Sequence, residues 1–219
     1  MHPVFYRSRC LVVMLVAVVG CNNQPTKPAP PIVAASAPED NSNQPMLPHP
    51  EYQNWSRFPV NSLIVRKRTV SNENGEVTVT TKMWLAEKSD KHVSVGTQVN
   101  VQRPGEGLEV NPSNVVDYPA EFQLPKGMEK ERFYLPSIKA KKVADEPIKI
   151  LEKEFTAEVY EWEESNETGP MTVKLWRSLD VPGRIIKQEM LTKSSKTQTL
   201  EDLVELDLTG NAKIKNAGQ

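Results

Sequence analysis

Two cysteines, three histidines and two short acidic runs are the side chains of this chain that could do chemistry. The thiols, Cys10 and Cys21, both lie near the start, so the rest of the chain offers no CxxC pair, disulfide or thiolate metal set. His2, His49 and His92 are too scattered for an HExxH helix or a zinc pair. Glu161, Glu163 and Glu164, and then Glu201, Asp202, Glu205 and Asp207, fall in segments of alternating polarity and are expected on solvent faces. A glycosidase pair or a calcium site would need them to converge. There is no GxSxG elbow and no GxxxxGK[ST] phosphate loop. The expectation is therefore no catalytic residue, no metal site, no cofactor and no enzymatic activity. A hydrolase would require a buried carboxylate pair in a cleft.

Cys21 has the most specific context. Arg7 and Arg9 precede the apolar run Leu11–Val19, which has signal-peptide length and falls short of the roughly 20 residues a membrane-spanning helix needs. Val18-Val19-Gly20-Cys21 then resembles a bacterial lipobox, with Val18 where Leu is usual. The resemblance implies cleavage before Cys21, a diacylglyceryl group on its thiol, and fatty acyl chains such as palmitate. Two or more acyl chains hold a protein durably on a bilayer, at about 0.8 kcal/mol per buried CH2. Asn22, rather than Asp, after Cys21 implies sorting to the outer membrane where there are two membranes. Cys10 would leave with the leader, residues 1–20.

Composition sets the remaining bounds. The formal charge is −1, and loss of Arg7 and Arg9 makes it −3, which gives no basis for nucleic-acid binding. Arg66-Lys67-Arg68 is a short basic run without interleaved aromatics and is expected to be a solvated strand face. Residues 21–50 hold eight of the 18 prolines among Asn, Gln, Ser and Ala, too few large apolar residues for a core. They are expected to form a disordered tether carrying the lipidated Cys21, with His49 in it. A β domain is expected over 51–208 and a frayed tail over 209–219.

Within the domain the dominant period is two. Val77, Val79 and Met83 alternate with Thr78, Thr80 and Lys82; Val93, Val95, Val99 and Val101 alternate with polar residues; Phe155, Ala157 and Val159, and Met171, Val173 and Leu175, do the same. Leu200, Val204, Leu206 and Leu208 share the even face of the last segment. This pattern, rich in β-branched residues, predicts half-buried antiparallel strands. One helical turn is expected near Glu129–Tyr134. Asn74-Gly75 predicts a type I′ hairpin between Ser62–Val70 and Glu76–Leu85. Thr168-Gly169-Pro170 breaks a second, Phe155–Trp162 with Met171–Ser178, and Pro182-Gly183 suits the centre of a type II turn. Residues 103–120, with their prolines and glycines, are expected as a long irregular connection.

The two hairpins echo each other. Ser71–Val79 (SNENGEVTV) and Ser165–Val173 (SNETGPMTV) agree at six of nine positions at an offset of 94. After a two-residue shift, Lys82-Met83-Trp84 meets Lys174-Leu175-Trp176. Each hairpin is followed by a third strand, so either a three-strand meander is duplicated or two hairpins have converged on the same turn chemistry. Trp84 and Trp176 lie opposite the apolar stripe of their strands, where an indole either packs a face or lines an apolar-ligand cavity.

The segment Trp176-Arg177-Ser178-Leu179-Asp180-Val181-Pro182-Gly183, followed by Ile185-Ile186-Lys187, resembles a segment of exported bacterial β-sheet proteins. The plan of a lipobox followed by an antiparallel meander is similar to envelope lipoproteins of uncharacterised type and, remotely, to the lipoprotein-localisation carriers. The carrier likeness, over 156–208, implies a strongly bent sheet, a half-barrel or open barrel-like meander, around a cavity for acyl chains. The expected fold is thus mostly β, a single bent antiparallel sheet. The expected function is a non-enzymatic, lipid-anchored protein of the cell envelope presenting a β domain for binding or assembly. The alternative is a carrier of acyl chains or another apolar ligand lined by Trp84 and Trp176. Expected partners are the membrane, through the lipid on Cys21, and a protein or apolar ligand; no nucleic acid.

Overall fold

The computed structural model describes residues 45–212 and 214, except 74, 126, 167 and 168. The expected signal peptide, Cys21 and most of the expected tether lie outside the described residues. In chain order the elements are β1 (Met46–Pro48), α1 (Pro50–Trp55), β2 (Leu63–Asn72), β3 (Gly75–Lys88), β4 (His92–Gln102), β5 (Glu109–Val110), β6 (Asn114–Pro119), β7 (Glu121–Gln123), α2 (Lys130–Phe133), β8 (Lys141–Ile150), β9 (Lys153–Asn166), β10 (Gly169–Arg177), β11 (Ile185–Thr192) and β12 (Thr197–Asp207). The protein is mostly β, as the alternation predicts.

Ten strands make one antiparallel sheet in the order β5-β4-β3-β2-β12-β11-β10-β9-β8, with β6 also pairing β4. The last strand returns beside the first, joining the meander β2–β4 to the meander β8–β12. β5, β6 and β8 leave the sheet edges open, so it does not close into a barrel. A small second sheet pairs β1 with β7. Strand and helix are therefore present ahead of Glu51, at Met46–Pro48 and Pro50, and His49 caps a helix instead of lying in a tether. His49 Nδ1 accepts from the Glu51 amide at 3.1 Å, and Pro50 sits in the first turn of α1, where its missing N–H costs nothing.

The sheet curls. Phe155 of β9, Trp176 of β10, Ile186 of β11 and Leu203 of β12 belong to one buried cluster that runs across four neighbouring strands. Hydrogen bonds from Thr209 hold the Asp207 carboxyl low, and the charge of Lys153, three strands away, lowers it further. The cluster contains Trp55, Ile64, Leu85, Val93, Val95, Val159, Trp176, Val181 and Ile186. Burying such aliphatic side chains stabilises the fold by about 1.5–3 kcal/mol each. A smaller cluster, Ala140, Tyr160 and Leu175 with Leu135, Trp162 and Ile185 packed on it, covers the other side of β10.

The two echoing hairpins share one register. Asn72 pairs Gly75 and Asn166 pairs Gly169; Ser71 pairs Glu76 and Ser165 pairs Pro170, all at the offset of 94. Gly75 and Gly169 have φ of 118° and 113°, open only to glycine without strain. The reversal thus comes one residue earlier than a turn centred on Asn74-Gly75. Pairing Val70 with Val77 on one face fixes that register. The Val181–Arg184 turn behaves as its Pro-Gly centre predicts: the Arg184 amide donates to the Val181 carbonyl at 2.9 Å, and Gly183 has φ of 70°.

Three expectations need correcting. The connection 103–120 is not irregular throughout, because β5 and β6 in it pair with β4. In β12 a register shift between Leu203 and Glu205 moves the buried set, so Leu203 is 1% exposed and Val204 is 41% exposed. Glu201 therefore faces inward with Leu203. The Arg66–Arg68 run is likewise no solvated face, since Arg66 and Arg68 both bind the Glu201 carboxylate.

Candidate functional site

A cleft of about 430 Å³ lies between α1, Tyr134, β9, β10 and the β10–β11 turn. Its position follows from Asn54, which is buried on α1. The Asn54 amide donates to the Leu179 and Val181 carbonyls at 3.3 and 3.2 Å, and its oxygen accepts from the Gly183 amide at 2.6 Å. One side chain thereby satisfies three backbone groups of the turn and fixes it to the helix. Trp55, fully buried, packs beneath Gly183.

Three arginines reach this cleft, and their partners differ. Arg57 donates to the Leu179 carbonyl at 2.9 Å and lies 3.6 Å from Asp180 in an exposed pair of little energetic weight. Arg184, at φ of 65°, pairs with Glu51 of α1, while its Nε is buried without a partner. A left-handed backbone at a non-glycine residue costs roughly 1 kcal/mol or more, and here it turns the guanidinium toward α1.

Arg177 is the most unusual of the three. It is 7% exposed, donates to the Tyr134 carbonyl at 3.4 Å, and lies 5.6 Å from the centre of the Tyr160 ring. Among the described residues it makes no ion pair. Glu158, the nearby carboxylate of the cleft, is held elsewhere: Tyr160 Oη donates to it at 3.2 Å and Lys142 Nζ at 3.0 Å. Burial, and next the charge of Arg184, lower the pKa of Arg177. Burial, and next the charge of Glu158, raise that of Tyr160. Guanidinium basicity is so high that Arg177 stays charged. Arg177 is therefore, among the described residues, the one arginine of the cleft without a carboxylate of its own; none of its nitrogens is among their buried unpartnered atoms, so its free donors open on the cleft.

Trp84 and Trp176, the residues singled out for apolar ligands, are both 7% exposed and border neither this cleft nor a second one of about 290 Å³ beside Pro125, Met128 and Ile138. Trp84 lies over Gly96, where a Cβ would come within 2.1 Å of its ring. Glycine there is a packing requirement. Trp176 sits in the main core cluster, donates from Nε1 to Glu146, and has Lys174 and Lys187 at 5.1 and 4.9 Å from its ring. The structure brings the two indoles together in no common site. Among the described residues, no three His, Cys, Asp or Glu side chains are placed to hold a metal, and no helix is long and apolar enough to cross a membrane.

Sequence reasoning gave no role to Arg177 and Arg184, although Arg177 lies within the Trp-Arg-Ser-Leu-Asp-Val-Pro-Gly segment and Arg184 directly follows it. A signal was present: Arg177 alternates with Leu175 and Val173, so it continues an apolar stripe.

No protein family and no curated protein matches the chain in sequence. In fold it is similar to a protein assigned as a lipoprotein from Parabacteroides distasonis, at 12% identity and a TM-score of 0.43 over 68% of this chain and 97% of that one. It is similar also to a protein of YmcC-like fold, assigned as exported, from Bacteroides fragilis (10% identity, TM-score 0.42, 68% and 98% covered). A third likeness is to a domain assigned to outer-membrane lipoprotein sorting from Vibrio parahaemolyticus (10% identity, TM-score 0.27, 75% and 94% covered). At these levels the likeness is to the sheet and says nothing of ligand or activity.

Proposed function

We propose that this chain is a lipid-anchored protein of the cell envelope that presents its curled β domain for binding and performs no catalysis of its own. The observation that carries the reading is the order of residues at the N-terminus: Arg7 and Arg9, an apolar run of signal length, then Gly20-Cys21. The proline-rich stretch after Cys21 supports it, because a chain of that composition spaces a domain from a surface. The arginine cleft supplies a place for a ligand. The carrier alternative has less support, since Trp84 and Trp176 are both engaged in packing.

The test is production of the full chain in a bacterial host with radiolabelled palmitate, followed by fractionation and N-terminal sequencing by mass spectrometry. The expected result is label on a mature chain that begins at Cys21 and sediments with membranes, both lost in Cys21→Ser. An unlabelled mature chain, or cleavage at another residue, overturns the anchor. A copurifying acyl ligand that leaves on delipidation, and is absent from a Trp84→Ala/Trp176→Ala chain, would transfer the reading to the carrier.

A further inference from the structure

We propose that the cleft between α1 and the β10–β11 turn is an oxyanion site, in which Arg177 and Arg184 receive a two-oxygen monoanion, a phosphodiester or a carboxylate, borne on a larger molecule. The inference deepens the reading of the domain as a binding module but does not depend on the lipid anchor.

Four observations converge. Arg177 is more than nine-tenths buried and borders the cleft, with no carboxylate partner among the described residues. A guanidinium has five donors, and this one uses a single long bond to the Tyr134 carbonyl. Arg184 beside it keeps an unpartnered Nε although Glu51 binds its Nη2. The one carboxylate on the adjoining wall, Glu158, is turned to Lys142 and Tyr160. A buried charge without a partner is costly, and a group that supplies the missing acceptors would relieve that cost.

The chemistry narrows the ligand. Guanidinium forks match the two coplanar oxygens of a carboxylate or the paired oxygens of a phosphodiester, and such charge-assisted bonds are among the stronger ones. Arg177 is the one arginine of the cleft without a carboxylate of its own among the described residues, which suits a monoanion better than a dianion. Tyr134, Tyr160, Pro50 and Leu179 line one part of the wall and Gln53, Asn54 and Arg57 another, so the ligand body adjoining the anionic group meets both ring-bearing and polar side chains. A simpler reading keeps Arg177 as a packing residue stacked on Tyr160. That reading leaves the unused donors without purpose, and it predicts no binding.

The experiment is isothermal titration calorimetry on the full mature chain in nonionic detergent, at fixed chloride. Three soluble probes are used: glycerophosphoglycerol, inorganic phosphate and acetate. Saturable binding of glycerophosphoglycerol or acetate is expected, weakened at least about tenfold by Arg177→Met, near 1.4 kcal/mol. Arg184→Met should weaken it in the same direction, and is the deciding variant if Arg177→Met does not fold. Arg103→Gln, which removes an exposed arginine on the far side of the sheet order, should leave binding unchanged. Glycerophosphoglycerol binding without acetate assigns a phosphodiester headgroup; the reverse assigns a carboxylate. No saturation with any probe, an equal loss in Arg103→Gln, or binding indifferent to both cleft variants overturns the site. None of these outcomes bears on the palmitate label at Cys21, so the two proposals fail separately.

Discussion

Two arginine clusters in this domain meet the cost of burial in different ways. On the central strands β2 and β12, Arg66 and Arg68 share Glu201, with Arg66 Nη1 at 3.3 Å and Arg68 Nε at 2.6 Å from its oxygens. Glu201 is 3% exposed and Arg68 reaches water, so the surplus charge of that trio is partly solvated. Burial still lowers the pKa of Arg66, and Glu201 works against that shift. In the cleft the order is reversed: the most buried arginine, Arg177, is the one without a carboxylate. In the first cluster each arginine has a carboxylate, although Arg66 Nε is itself buried without a partner, and the cluster is structural. The second is left open where the surface is concave, and an open buried charge is what a binding site for an anion requires.

The sharpest way to break the contrast is to open the closed cluster. Glu201→Gln leaves two arginines facing a neutral amide inside the sheet. Removing one partner of a buried ion pair commonly costs about 3–5 kcal/mol. Urea denaturation should show a loss of that order, with the midpoint lowered and the slope retained. A loss below about 1 kcal/mol, the range of surface pairs, would mean that water reaches Glu201 and the two clusters do not differ in kind.

The opposite expectation holds for the open cluster. Arg177→Met replaces an unpaired buried cation with an unbranched apolar chain of similar reach. The stacking on Tyr160 is worth roughly 0.5–2 kcal/mol, and relief of the desolvated charge offsets it. Without ligand, the unfolding free energy should stay within about 1 kcal/mol of the parent, or rise. A loss comparable to that of Glu201→Gln would make Arg177 a structural residue and remove the comparison.

The sequence shows the two clusters unequally, and the reason is periodicity. Strands with one apolar face, such as β3 with Val77 and Val79 or β10 with Val173 and Leu175, announce themselves by alternation, and the repeated SNE-x-G-x-x-TV gives the common register of their hairpins. The edge strand β8 does not announce itself. Its KKVADEPIKI is charged and largely exposed, as edge strands are when pairing with strangers must be avoided. Glu201 is hidden by the bulge at Val204, since strict alternation along β12 puts Leu200 and Val204 inside and Glu201 outside. Arg177 continues the stripe of Val173 and Leu175, but the sequence does not show that residues 135–140 cover that face of β10. Cys21 is the reverse case: legible from sequence and outside the described residues. The expectation at Cys21 rests on a local motif, whereas a cleft assembled from α1, Tyr134 and a distant turn depends on tertiary packing.

The smallest expected effect concerns the helix that carries one wall of the open cluster. His49 accepts from the Glu51 amide through Nδ1, packs against Tyr118 and Phe122 with ring centres at 5.3 and 5.5 Å, and is partly buried. Burial lowers its pKa from 6.5, Glu51 opposes that shift, and Arg184 adds to it. A protonated His49 would lose its capping acceptor and add a cation beside Arg184. Because the folded value lies below the unfolded one, the unfolded chain binds more protons between them. Stability from this group is therefore complete above pH 6.5 and falls away as pH drops through the lowered value. His49→Asn keeps a capping oxygen without titrating there, so its melting temperature should fall less than that of the parent between pH 7 and pH 5. Parallel curves for the two chains would show that His49 titrates alike folded and unfolded. The difference between His49→Asn and its parent should persist in an Arg177→Met background and be reduced, but not abolished, by Arg184→Met, because burial is the larger cause of the shift and Arg184 the smaller.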